Sequence, residues 1–260
     1  MIRISALRRS GIALAMLLAA PSAWAQSAPP PMAPPPPVFT TPAPTIANPQ
    51  PDHPAYLDLI AAIESTVDMN ALITNALGAV KRQFEADPNL GAADKASPGL
   101  IDEIIAGMRP VIDRHNARVS AAYRPRMAAV TANYLTPEEA VSVAAFYRSD
   151  IGRKLMGGVI ANYDMDQSIA SAMKDQNVSE ADVQADIMNA VGKGMQSMSA
   201  DDMAAMAKMT LENPALAKLT LIGPPMQRLR TQMENEPLLP EDDAAILKVV
   251  ETVFAKRFAQ

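Results

Sequence analysis

Five arginines fall within one short stretch of this sequence, opposed only by Asp113. They are Arg109, Arg114, Arg118, Arg124 and Arg126. Arg114 and Arg118 lie four residues apart and therefore share one face of a helix. Two guanidinium groups there could bind a phosphate or a carboxylate, such as a lipid headgroup or cell-wall material. The alternative, which we favour, is a surface whose arginines pair with acidic helices elsewhere in the fold.

A second group that could do chemistry consists of methionines at three-residue spacing. Met203, Met206 and Met209 follow closely on Met195 and Met198. Thioether sulfur is a soft ligand suited to Cu(I). Successive members of such a triplet, however, rotate by about 60° around a helix, so their sulfurs converge only with help. Because methionine also fills irregular helical cores, we favour packing and predict no cofactor, and copper binding is the alternative.

Groups that catalysis needs are scarce. His115 is the only histidine beyond residue 54, and Asp113 lies two residues before it, so their side chains point apart on a helix. The sequence contains no His-Glu-x-x-His, Gly-x-Ser-x-Gly or phosphate-binding loop motif. The acidic pairs Glu138-Glu139 and Asp201-Asp202 stand at predicted helix starts, where capping explains them. We therefore predict no catalytic residues and no enzymatic activity.

The first 25 residues have the pattern of a cleaved signal peptide. Arg3, Arg8 and Arg9 precede an apolar run from Ile12 to Ala20, and Ala23-Trp24-Ala25 forms a small-x-small cleavage site. The apolar run is too short to span a bilayer. Export by the general secretory route is favoured over the twin-arginine route, because polar Ser10 and Gly11 follow the arginine pair. Cleavage after Ala25 and a periplasmic location follow as expectations.

Removal of that leader leaves 20 basic against 28 acidic residues, a net charge near −8. This balance disfavours nucleic-acid binding and polybasic attachment to membranes. There are no cysteines, so disulfides cannot stabilise the fold. Residues 26–54 contain 12 of the 23 prolines and predict a disordered, extended linker. We favour a solvated tail left by cleavage, and the alternatives are a spacer and a ligand for an aromatic-lined groove.

Residues 55–260 show helical spacing of apolar residues throughout. The pattern predicts an all-α bundle of roughly seven to nine helices, without a transmembrane segment. The composition of Asn89–Ser97 predicts a loop. Pro110 and Pro125 predict kinks or breaks, and Gly223-Pro224-Pro225 predicts a break in a later helix.

Residues 135–155 encode two consecutive helix starts. Thr136 and Glu139 form a capping box around Pro137. Ser149 predicts a second N-cap, and Gly152 would let the backbone approach closely. The expected structure is a tight corner between two helices.

This segment resembles the domain of unknown function 2059 family, exported α-helical proteins of Gram-negative bacteria. The residues that carry the resemblance are Leu135, Thr136, Glu139, Phe146, Tyr147, Ser149, Gly152, Lys154 and Leu155. Asp150 departs from the proline that the family often has there. The resemblance implies a helical bundle and a periplasmic address but no activity. Tyr147 and Lys154 are the polar residues of the motif that capping does not explain.

A similar pattern recurs about 64 residues later. Met198 to Asp202 aligns with Leu135 to Glu139, and Asn213 to Leu219 aligns with Ser149 to Leu155. Repeat units at about 119–175 and 183–235 would account for this, as would chance recurrence of common capping boxes.

The expected function is a structural or protein-interaction module that associates with itself or with an envelope protein. The alternatives are binding of an anionic ligand or of copper.

Overall fold

A computed structural model gives the fold of residues 50–174 and 177–258. Within these residues the chain forms eleven α-helices, one 3₁₀ helix and no strands. The predicted all-α bundle is confirmed, with more helices than the seven to nine expected. The α-helices are α1 (Pro54–Glu64), α2 (Met69–Ala86), α3 (Pro88–Ala96), α4 (Leu100–Ala132), α5 (Pro137–Arg148), α6 (Asp150–Ala161), α7 (Asp166–Met173), α8 (Glu180–Gln196), α9 (Ala200–Glu212), α10 (Leu219–Glu234) and α11 (Pro240–Phe258).

The predicted leader and nearly all of the predicted linker lie outside the described residues. At the linker's end, His53 belongs to the folded part, because its Nδ1 accepts a hydrogen bond from the Ala55 N–H at 3.2 Å and caps α1. The helical domain therefore begins at the cap of α1.

Helix α4 is the central element of the bundle. Helices α1, α2, α10 and α11 all pack against it, while α1 also packs along α5 and α6 packs along α8. Helix α7 lies against α2 and α8. The core is a continuous apolar cluster that draws on almost every helix, and Leu59, Leu72, Leu100 and Ile222 are completely buried within it.

The loop predicted for Asn89–Ser97 is wrong. Helix α3 occupies this stretch, because the Asp87 carboxylate accepts hydrogen bonds from the Asn89 and Leu90 N–H groups at 2.9 Å and Pro88 takes the first helical position. Leu90 is buried and attaches the helix to the core. A strong N-terminal cap and one apolar anchor outweigh the weak propensity of this polar stretch.

The prolines also do not break their helices. Helix α4 continues through Pro110 and Pro125, and α10 continues through Pro224 and Pro225, so the break predicted at Gly223–Pro225 is wrong. An internal proline removes one backbone hydrogen bond. Both helices bury a long apolar side against several neighbours, and this packing supplies most of the stability of a helix in a protein.

Candidate functional site

The corner between α5 and α6 has the local structure that its sequence predicts. The Thr136 Oγ accepts from the Glu139 N–H at 3.3 Å, and the Glu139 carboxylate accepts from the Thr136 N–H at 2.9 Å. The Ser149 hydroxyl accepts from the Gly152 N–H at 3.1 Å and caps α6. A Cβ at Gly152 would lie 2.2 Å from the Phe146 carbonyl oxygen, so only glycine fits this corner.

The other motif residues divide between the core and the surface. Leu135, Phe146, Tyr147 and Leu155 are buried. Burial raises the pKa of the Tyr147 hydroxyl, for which the described residues offer no hydrogen-bond partner. Lys154 lies on the surface and pairs with the Asp202 carboxylate. Tyr147 and Lys154 therefore do not form a common polar site.

The second motif repeats the local structure of the first. The Ser199 hydroxyl accepts from the Asp202 N–H at 3.1 Å, and the Asp202 carboxylate accepts from the Ser199 N–H at 3.0 Å. Asn213 caps the next turn by accepting from the Ala215 N–H at 3.2 Å. Here the chain enters a 3₁₀ helix, Pro214–Lys218, before α10, whereas α6 is α-helical from its start.

The two motifs exchange their lysines. Lys218 Nζ of the second motif lies 2.6 Å from Oε1 of Glu139, the capping-box acid of the first. Lys154 of the first motif pairs with Asp202, the capping-box acid of the second. Hydrogen bonds from Lys154 and Ser199 lower the pKa of Asp202 to about 2. Each corner is therefore held in part by a cation from the other.

The helices around the two motifs also pack reciprocally. Helix α6 of the first motif packs on α8, which precedes the second, and α10 of the second packs on α4, which precedes the first. The α6–α8 crossing is close at Gly158 and Gly194: a Cβ on Gly194 would lie 2.8 Å from the Val159 nitrogen.

The arginines of α4 are directed at neighbouring elements of the same chain. Arg114 lies 3.0 Å from Asp242, and Arg124 binds Glu64 through two hydrogen bonds of 3.1 and 2.7 Å. Arg118 donates to the Pro237 carbonyl at 2.9 Å. Further contacts join Arg109 to Asn70, Thr74 and Asp113, Arg118 to Glu236, and Arg126 to Gln232 and the face of the Tyr123 ring. This geometry fits the paired surface better than a site in which Arg114 and Arg118 converge on an anion.

The one histidine inside the bundle is enclosed. His115 is completely buried, and its pKa is lowered by burial and by the charge of Arg118, whose Nη2 lies 3.1 Å from Nδ1. Nε2 of His115 and both side-chain amide atoms of the adjacent Asn116 have no hydrogen-bond partner in the described part of the chain. Asp113 lies 4.0 Å from Arg109 and does not orient His115.

The methionines of α9 form one side of that helix. Met206 is buried, and Met203 and Met209 are half-buried against the apolar core. All three side chains therefore lie wholly or partly against the apolar core. Across residues 50–174 and 177–258, no cluster of three or more His, Cys, Asp or Glu side chains could hold a metal ion.

A buried charged cluster was missed by the sequence analysis. Arg230 and Glu234 in α10 are 4% and 3% exposed and lie 3.4 Å apart. Arg230 also hydrogen-bonds the Tyr163 hydroxyl. Nearby, Asp186 in α8 accepts hydrogen bonds of 2.7–3.0 Å from the Gln167 N–H and from the N–H and hydroxyl of Ser168, and so caps α7.

Arg230 is the ion-pair partner of Glu234, whereas Asp186 is bound by Gln167 and Ser168. Burial raises the pKa of Glu234 to about 8; Arg230 opposes the shift and Asp186 adds to it. The cluster can therefore take up a proton near neutral pH, but its burial separates it from any solute. The i, i+4 pair of Arg230 and Glu234 next to buried Met226, Leu229 and Met233 was the available signal in the sequence.

Among the described helices, none combines the length and apolar character needed to cross a membrane. Comparisons of the chain with protein-family models, with curated proteins and with solved structures found no match in any of the three.

Proposed function

We propose that this chain is an exported α-helical interaction module of the Gram-negative periplasm, related to the domain of unknown function 2059 family and without catalytic activity. The observation that carries the proposal is the weakly covered outer side of α9. Only Met206 of α9 is buried, and Leu211 on its outer side is 84% exposed. Exposed Ala204 and Ala207 lie beside Leu211 on this side of α9, and contiguous exposed apolar residues mark contact surfaces in a way that a lone leucine does not.

The charged side chains that could act in catalysis have structural roles or are enclosed, which supports a non-enzymatic function. The arginines of α4 are engaged by internal partners, and the carboxylates Glu139, Asp182 and Asp202 complete capping boxes. Within residues 50–174 and 177–258, Glu234 is the one carboxyl with a strongly raised pKa, and it is enclosed. A catalytic site would instead need such a group in a cleft that substrate can enter.

Export is tested on the protein recovered from the envelope fraction of a Gram-negative host. Cleavage of the leader predicts a periplasmic form whose intact mass corresponds to a chain that begins at Gln26. A chain that stays in the cytoplasm with its leader attached would contradict export.

The interaction function is tested by photo-crosslinking in the envelope. A photoreactive residue at Leu211 should yield a crosslinked protein, whereas one at Glu251, exposed on α11, should yield little. The absence of any crosslinked product at Leu211 would overturn the proposed interaction surface.

A further inference from the structure

Helix α1 covers one surface of α5, and the corresponding surface of α9 is exposed. The capping residues Thr136 and Ser199 set a 63-residue correspondence between α5 and α9. Under it, Ala144, Tyr147 and Arg148 correspond to Ala207, Thr210 and Leu211.

The two sets differ in what covers them. On α5, Ala144 and Tyr147 are buried, and Arg148, although exposed, binds Asp58 of α1 at 2.5–2.9 Å. On α9, all three corresponding residues are exposed. Within the described residues α9 packs mainly against α6 and the 3₁₀ helix, and no helix takes the place that α1 has on α5.

The reciprocal lysine contacts show how the two motifs are arranged relative to each other. Lys154 reaches the capping box of the second motif and Lys218 that of the first, while α6 packs on α8 and α10 on α4. Contacts that are reciprocal in this way define a local two-fold relation. Among the described helices none packs on α9 as α1 packs on α5, so the corresponding position on the outer face of α9 is uncovered.

We propose that a second copy of this chain covers this face, with α9 packed antiparallel against α9 of its partner. This inference rests on the proposed interaction function and names its partner. Ala204, Ala207 and Leu211 lie along the centre of the exposed side, with Asp201 and Lys208 along one edge.

The charges on that edge favour pairing with itself. Asp201 and Lys208 are both exposed and lie seven residues apart, so they share the same edge of the helix. In an antiparallel two-fold pair, equal edges meet, so Asp201 of each copy lies opposite Lys208 of the other. Antiparallel packing also aligns opposite ends of the helix dipoles. Lys208 can form this pair between copies, because its ion pair with Glu212 is long, at 3.7 Å. The side chains of Lys208 and Glu212 are 74% and 63% exposed.

A single 13-residue helix from each copy gives an interface at the small end of the specific range. The dimer is therefore weak and concentration-dependent. Sedimentation equilibrium of the purified chain should show a monomer–dimer equilibrium. Leu211→Glu should weaken the dimer about tenfold or more, whereas Val141→Glu, a 55% exposed position on α5, should not change it.

A charge exchange tests the antiparallel register. Lys208→Asp should weaken the dimer, and the double variant Asp201→Lys/Lys208→Asp should restore it, because the pairs form again with opposite polarity. The absence of cysteines adds a direct probe. Ala204→Cys should be joined into dimers by a short bis-maleimide, whereas Glu251→Cys should stay monomeric. Circular dichroism of each variant verifies that it is folded.

The outcomes separate the two proposals. A monomer at all concentrations, together with a crosslink from Leu211 to a different envelope protein, overturns self-pairing and leaves the interaction module standing. A dimer whose strength is not restored by the double variant overturns the antiparallel arrangement. A monomer with no envelope crosslink overturns both proposals.

Discussion

Replacement of Glu234 by glutamine should make the protein more stable at alkaline pH, although it removes one partner of a buried ion pair. The folded-state pKa of Glu234 is about 8, against a usual value of 4.5. Between these values the folded protein holds one proton more than the unfolded chain, so stability falls as pH rises. The slope is about 1.4 kcal/mol per pH unit.

The size of the effect follows from the two pKa values. The wild-type protein should lose about 4 kcal/mol of unfolding free energy from this group between pH 5 and pH 8.5. Glutamine resembles the protonated carboxyl and does not titrate. The Glu234→Gln variant should therefore be close to the wild type at pH 5 and more stable by a similar amount at pH 8.5.

Urea unfolding followed by circular dichroism at several pH values measures this difference. His115 contributes a slope of opposite sign, because its lowered pKa means that the unfolded chain binds a proton more readily below its usual pKa of 6.5. That slope is common to both proteins and cancels. Exposed Glu251→Gln is the control and should follow the wild type. Parallel curves for the wild type and Glu234→Gln, or a variant less stable at every pH, would refute the reasoning.

The remaining predictions concern packing and caps, and each is measured by urea unfolding. Gly152→Ala should cost about 2–4 kcal/mol because its methyl group would overlap the backbone of α5, whereas Gly157→Ala in the same helix meets no atom within 4 Å and should stabilise by about 0.5–1 kcal/mol. Tyr147→Phe should be neutral or stabilising by about 1 kcal/mol, because it removes a buried hydroxyl with no partner in the described structure; a large loss would show that the hydroxyl is bonded. Asp186→Ala should cost about 2–3 kcal/mol and speed amide hydrogen exchange at Ser168, and unchanged exchange there would contradict the cap.

The local features of the fold could be read from the sequence. The capping boxes at Thr136 and Ser199 and the second cap at Ser149 depend on residues three positions apart, so short-range chemistry determines them. The special role of Gly152 was predictable for the same reason. The helix at Pro88–Ala96 was missed because a cap and one buried leucine outweighed its polar composition.

Long-range features could not be read in this way. The sequence places Arg114 and Arg118 on one face, but it does not show that Asp242 and the Pro237 carbonyl lie opposite them, more than a hundred residues away. The continuity of α4 through two prolines also depends on neighbours that only the fold supplies. Tyr147 and Lys154 are separated because one faces the core and the other faces the second motif.

The exchange of lysines and helices between the two motifs also has a consequence for how the chain folds. Neither half can complete its own packing, because α6 needs α8 and α10 needs α4. The contacts that join the halves span 48 residues for Lys154 with Asp202 and 79 for Lys218 with Glu139. We therefore expect unfolding to be cooperative across the junction between the halves, and we expect the two fragments of a protease cut there to be unstable apart and to complement each other when mixed.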